Sequence, residues 1–143
     1  MPTRTIADVV RGQRILTADG NLSVRVAAER MAAERVGSVM IVHGGRLAGI
    51  FTERDAMFRV LAARLDPETT PIADVMTANP QTITLDRPLS HAMHLMSEGG
   101  FRHVPVVVDG RPVGMVSARD ALGSELTAFE QEQQQREAIS ERL

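Results

Sequence analysis

Two short stretches of this 143-residue chain carry hydroxyl and carboxyl groups at a spacing that could hold a ligand: Thr52-Glu53-Arg54-Asp55 and Ser117-Ala118-Arg119-Asp120. A carboxylate fixed at a helix start accepts two hydrogen bonds, as from the vicinal hydroxyls of a ribose, with the Ser or Thr hydroxyl alongside. The same Ser/Thr-x-x-Asp pattern is also a capping box, which satisfies free helix N–H groups whether or not anything binds. The residues alone leave both uses open. Arg102 and His103 stand just before a β-branched run, and a guanidinium there could fork onto a phosphate. Thr17 and Thr84, near the ends of short predicted strands, add candidate hydroxyl contacts, although such residues are ordinary in strands.

Other chemistries find little to work with. The absence of cysteine removes disulfides, zinc knuckles, thiol nucleophiles and iron–sulfur clusters together. His91 and His94 stand three apart on a predicted helix with Glu98 as the nearest useful acid, too thin a ligand set for zinc, so no metal site is expected. Ser97, His94 and Asp86 have neither a nucleophile elbow nor an oxyanion loop to organise them, so the chain is not expected to be an enzyme. Sixteen Lys plus Arg against eighteen Asp plus Glu give a net charge of -2, which provides no global positive field for nucleic acid or an anionic membrane. Aromatic residues make up 3%, all of them Phe, so base-stacking aromatic platforms are nearly excluded as well. No apolar run reaches the roughly 18 residues of a spanning helix, and the N-terminus has no signal-peptide core. The expectation is a soluble, cytoplasmic protein.

The elements that must position these residues come in two copies. The stretch from Val36 to Met57 lies over Phe101 to Leu122 without a gap at an offset of 65. Val39/Val104, Val42/Val107, Gly45/Gly110, Arg46/Arg111, Gly49/Gly114, Arg54/Arg119, Asp55/Asp120 and Ala56/Ala121 are identical pairs, which marks a duplication. Ile6-Ala7-Asp8-Val9 matches Ile72-Ala73-Asp74-Val75 one residue out of step. In each copy a helical stripe follows an N-terminal signal: Val24, Ala27, Ala28 and Met31 behind Asn21 or Ser23, and Leu89, Ala92, Met93 and Met96 behind Asp86 and Pro88. A hairpin follows, Val39–Val42 to Leu47–Phe51 and Val104–Val108 to Pro112–Val116, turning at Gly44-Gly45 and Asp109-Gly110. A second helix then starts at Thr52 or Ser117, with Met57, Val60 and Leu61, or Leu122, Leu126 and Phe129, expected on its apolar face. A copy of about 60 residues buries only a marginal core by itself, so the two are expected to pack together. Leu65–Pro71 is the linker. After Phe129 the chain turns to Glu, Gln and Arg, which predicts a solvated helical tail; a heptad-like seam from Leu122 through Leu126 and Phe129 would be interrupted by Gln133 and Arg136.

The duplicated unit, with GIFTERD at Gly49–Asp55, GMVSARD at Gly114–Asp120 and FRHVPVVVDGRPVG at Phe101–Gly114, resembles a tandem pair of CBS domains, the regulatory module named after cystathionine β-synthase. The expected fold class is α/β (α+β), two strand-helix-strand-strand-helix repeats about a pseudo-twofold axis. Residues 1–66 form the first domain, 67–128 the second and 129–143 a tail. The resemblance implies two clefts that take adenosine-containing ligands such as AMP, ADP, ATP, NAD or S-adenosylmethionine, and pairing of two modules into a homodimer. It implies ribose contacts at Thr52, Asp55, Ser117 and Asp120, and a phosphate contact at Arg102, three residues before Pro105. The first copy has Gly37 and Met40 at those two positions, so the clefts are expected to differ, with the one carrying Ser117, Asp120 and Arg102 the better equipped. The resulting expectation is a nucleotide-sensing module that requires no cofactor and signals by conformational change to an unknown downstream protein. The competing expectation is a structural or dimerisation protein whose clefts no longer bind.

Overall fold

Backbone hydrogen bonding organises each copy around a hairpin. In the computed structural model, which describes residues 4–122 and 131–139, β2 (Ser38–His43) pairs antiparallel with β3 (Arg46–Thr52), and β5 (His103–Val108) with β6 (Arg111–Ser117). The turns lie where the Gly-Gly and Asp-Gly dipeptides predict them. Gly44, Gly45, Asp109 and Gly110 all have positive φ, the backbone that lets a two-residue turn follow the twist of its strands. Before each hairpin stands a helix, α2 (Val24–Glu34) or α4 (Leu89–Gly99). They bury Val24, Ala27 and Met31, and Leu89, Ala92 and Met96, along one stripe; Ala28, expected on it, is exposed. β1 (Thr17–Asp19) runs parallel to β2. Its counterpart in the second copy shrinks to one parallel bridge, Ile83 to Val106.

The copies exchange their leading segments. α1 (Ile6–Val10) places Ile6 and Val10 in the core of the second copy, against Ile83, Val104, Val106 and Val116. The matching turn, a 3-10 helix at Ile72–Asp74, places Ile72 and Val75 in the core of the first, against Val39, Ile41, Phe51 and Val60. β4 (Thr77–Ala78) then adds a strand to the first copy's sheet beside β3. At the corresponding place in the second copy, the Gln13 side chain does the work of a strand, donating to the Met115 carbonyl at 2.9 Å and accepting its N–H at 2.8 Å. The duplicated glycines make this possible. A Cβ on Gly114 would lie 2.7 Å from Val10 Cβ, and one on Gly49 2.9 Å from the Thr77 carbonyl, distances that real side chains do not tolerate. The exchange also caps the helices: Leu89 N–H donates to the Arg4 carbonyl, and Val24 N–H to Thr70. Ser23 caps α2 as expected, but Asp86 does not cap α4. It accepts the Thr84 hydroxyl, which with its own turn's N–H holds the carboxyl below its usual range.

The second helices depart furthest from expectation. α3 (Glu53–Asp55) opens into a wider π-helical segment, Ala56–Leu61, in which Ala62 N–H reaches the Met57 carbonyl five residues back. A π turn holds more residues than an α turn, so spacing read at three and four no longer selects one face. Val60 is buried, but Met57 and Leu61, expected beside it, are 58% and 74% exposed, as is Phe58 at 57%. In the second copy a 3-10 turn, Ala118–Ala121, follows Ser117, and Leu122 is exposed; Leu126 and Phe129 lie outside the described residues. The helix at 131–139 is exposed along its whole length. No helix among the described residues is long and apolar enough to cross a membrane.

Candidate functional site

The Ser/Thr-x-x-Asp motif occurs three times in the structure, and its surroundings distinguish the copies. At Thr5–Asp8 it is a cap alone: the Thr5 hydroxyl accepts Asp8 N–H, Asp8 Oδ2 accepts Thr5 N–H, and the carboxyl sits below its usual range because of those bonds. Neither residue lines either of the two clefts that the other copies border. At Thr52 the same bonds form, with Asp55 Oδ2 accepting both the N–H and the hydroxyl of Thr52 at 3.0 and 3.2 Å. Asp55 is buried, and its Oδ1 faces the Arg59 guanidinium at 3.5 Å. At Ser117 the bond from the backbone N–H to Asp120 Oδ2 shortens to 2.7 Å, while the hydroxyl stands 3.4 Å from the same oxygen. Asp120 is half-buried, its Oδ1 is not part of the cap, and its carbonyl accepts from Arg4 Nη2 at 2.7 Å.

The second and third of these caps open into clefts between the copies. The larger, about 1120 Å³, is lined by Ser117 and Asp120 together with Arg14–Leu16 and Arg35–Ser38 of the first copy. The smaller, about 580 Å³, is lined by Thr52 and Asp55 together with Asn79–Gln81 and Phe101 of the second. Both volumes suit a small organic ligand. The walls are pseudo-symmetric, since 14–16 and 79–81, like 52–55 and 117–120, are related by the offset of 65. Among the described residues, arginines outnumber acids on each. The larger cleft has Arg14, Arg35, Arg54, Arg102 and Arg119 against Glu53 and Asp120, and the smaller has Arg54, Arg59 and Arg102 against Glu53 and Asp55. Such a lining favours an anionic group, for which a guanidinium offers paired donors.

Of the eight residues singled out in the sequence, six meet at these clefts. Ser117 and Asp120 line the larger, Thr52 and Asp55 the smaller, and Arg102 and His103 line both. Arg102 therefore does not belong to the Asp120 cleft alone. Thr17 and Thr84 line neither: Thr17 is paired with Met40 within the sheet, and Thr84 is turned to Asp86. Burial pushes the His103 imidazole below its usual range; the Arg102 charge pushes it the same way, while Glu53 and Asp120 oppose. Glu53 is the residue that sequence reasoning missed. A Cβ on Gly37 would lie 2.8 Å from Glu53 Oε1 and 3.6 Å from His103 Nε2, so the carboxylate lies over the glycine beside the imidazole. The signal was present where the repeat breaks, with Glu53 opposite Ala118 and Gly37 opposite Arg102. Elsewhere His94 pairs with Glu98 on the exposed face of α4 at 3.2 Å, and no cluster of three or more metal-ligating side chains occurs among the described residues.

Comparison with known proteins agrees with this architecture. The CBS domain family model matches residues 6–62 and again 72–126. The CBS domain-containing protein CBSCBSPB2 of Arabidopsis thaliana is 34% identical over 132 residues, 92% of this chain and 25% of that protein; the chain spans a quarter or less of the length of the first curated relatives it matches. Among solved structures, the CBS domain pair of protein MJ0100 in complex with 5′-methylthioadenosine and S-adenosyl-L-methionine superposes with a TM-score of 0.76 at 30% identity, covering 90% of this chain and 99% of that one. The CBS domain protein PAE2072 from Pyrobaculum aerophilum, complexed with AMP, gives a TM-score of 0.76 at 26% identity, covering 88% and 96%. The chain belongs to the CBS domain family and carries two of its domains as a pair.

Proposed function

We propose that this chain is a regulatory module that binds an adenosine-containing small molecule in its inter-repeat clefts and passes the resulting change of shape to a downstream protein, without catalysis. The observation that carries this reading is the placement of Ser117 and Asp120: a half-buried carboxylate, with one oxygen outside its cap, on the wall of a cleft rich in arginine. A ribose diol suits the carboxylate and a 5′-phosphate suits the guanidinium groups. Support comes from the AMP of one structural relative and the S-adenosyl-L-methionine and 5′-methylthioadenosine of another. In the smaller cleft a ribose would compete with Arg59 for Asp55 Oδ1, a weaker arrangement. Signalling of this kind requires only that the ligand prefer one of two conformations of the pair. We place the module in the cytoplasm, as a homodimer whose contact includes the exposed Met57, Phe58 and Leu61.

A calorimetric melting panel with AMP, ADP, ATP, NAD and S-adenosylmethionine tests this reading. A ligand present at 100 times its dissociation constant adds about 2.7 kcal/mol to the folded state, which moves the midpoint by roughly 5 to 15 °C for a domain of this size. A selective shift names the ligand class. Flat curves for all five, on nucleotide-free protein, favour the second reading, a dimerisation protein, for which the same exposed apolar segment speaks.

A further inference from the structure

The two clefts end on one wall. Glu53, Arg54, Phe58, Arg102 and His103 line both, whereas the Ser117–Asp120 and Thr52–Asp55 pairs line one cleft each. The wall is closely assembled: the Glu53 carboxylate lies over Gly37 beside His103 Nε2, and the charges of Glu53, Arg102 and Asp120 all act on that imidazole. It is also where the duplication fails. Glu53 has alanine as its counterpart and Arg102 has glycine, so the wall shared by the two clefts carries an acid and a guanidinium that the duplication does not repeat. We propose that the clefts are negatively coupled, because Arg102 serves the phosphate of a nucleoside monophosphate from one cleft at a time, and filling either cleft weakens the other for the same ligand. A second phosphate reaching this wall finds the guanidinium engaged, and it meets like charge from the first phosphate and from Glu53. The coupling is reciprocal by thermodynamic necessity, whichever cleft fills first. The inference rests on the reading of the clefts as nucleotide sites.

Calorimetric titration of the full chain with AMP tests it, using two variants that each block one cleft at an exposed position. Ile15→Trp obstructs the larger cleft and Gln81→Trp the smaller. For independent clefts, the product of the two association constants of the unmodified chain equals the product of the constants measured in the two variants. Coupling lowers the former, and the expected deficit is at least about tenfold. Its extreme form is one AMP per chain in the unmodified protein while each variant still binds one. Adenosine, which lacks the phosphate, is expected to show no deficit. Equal products for AMP, a larger product in the unmodified chain, an equal deficit with adenosine, or binding in only one variant would each overturn the inference while leaving nucleotide binding intact. Absence of AMP binding in all three proteins would instead overturn the reading of the clefts as AMP sites.

Discussion

At the scale of single residues, the question is whether Asp120 is a cap, a ligand contact, or both. Its bond to Ser117 N–H and its place on the larger cleft give separable consequences. Asp120→Ala is expected to weaken binding of the nucleotide identified in the panel by at least about tenfold, or 1.4 kcal/mol, in calorimetric titration. A cap alone would leave affinity unchanged and cost the free protein about 1 kcal/mol. His103 gives a pH dependence. Burial holds its folded pKa below the usual 6.5, so the unfolded chain binds a proton that the folded chain resists. Its contribution to stability is therefore complete above pH 6.5 and is lost as pH falls from there towards the lowered folded value. Urea denaturation at a series of pH values should show this acid-side loss in the unmodified protein and a flatter profile in His103→Gln; equal slopes would remove the residue from the account. The sequence already pointed to Asp120, Asp55 and Arg102, because hydroxyl, carboxyl and guanidinium chemistry is legible in residue type and spacing. Thr17 and Thr84 lie off both clefts, and a threonine near a strand end says nothing of which way the strand faces.

At the scale of elements, both hairpins and the stripes of α2 and α4 were legible because they rest on local periodicity and on turn dipeptides that need positive φ. The exchanged leading segments were not. Ile6 and Ile72 announce themselves as a repeated tetrapeptide, but no local signal says that each packs into the other copy. That pairing is a matter of chain path, and its trace in the sequence is the duplicated Gly49 and Gly114, whose missing Cβ atoms admit the crossing segment, Met76 and Thr77 at the first and the Val10 side chain at the second. Ile6→Ala should therefore cost about 2–5 kcal/mol, as for other fully buried aliphatic truncations, and the loss should fall on the far side of the molecule. Hydrogen exchange is expected to accelerate in β5 and β6 before β2 and β3. The reverse order would mean that α1 stabilises its own copy. The apolar face of α3 was misread because the π-helical widening over Ala56–Leu61 carries Met57 and Leu61 out to solvent, and no feature of the spacing foretells that widening.

At the scale of the whole molecule, those outward residues leave an apolar segment next to the cleft mouths: Met57 and Phe58 line the larger cleft, and Leu61 stands one turn further on. If a second copy covers it, Leu61→Lys should convert a dimer to a monomer in sedimentation velocity with little change in folding, because the side chain is 74% exposed and surface substitutions usually cost within about 0.5 kcal/mol. An unchanged sedimentation coefficient would move the contact elsewhere. In the proposed module, contact between that segment and a cleft wall would give a route from ligand to assembly, since Phe58 lines both clefts.

A protease that cut the chain anywhere between Leu65 and Thr70 would sever the covalent link between the repeats without separating them. The front fragment would still bury Ile6 and Val10 among the rear fragment's strands, and the rear fragment would still bury Ile72 and Val75 among the front's. The nicked protein would persist as two interlocked halves, and separately expressed halves would find each other by fragment complementation, neither completing its interior alone.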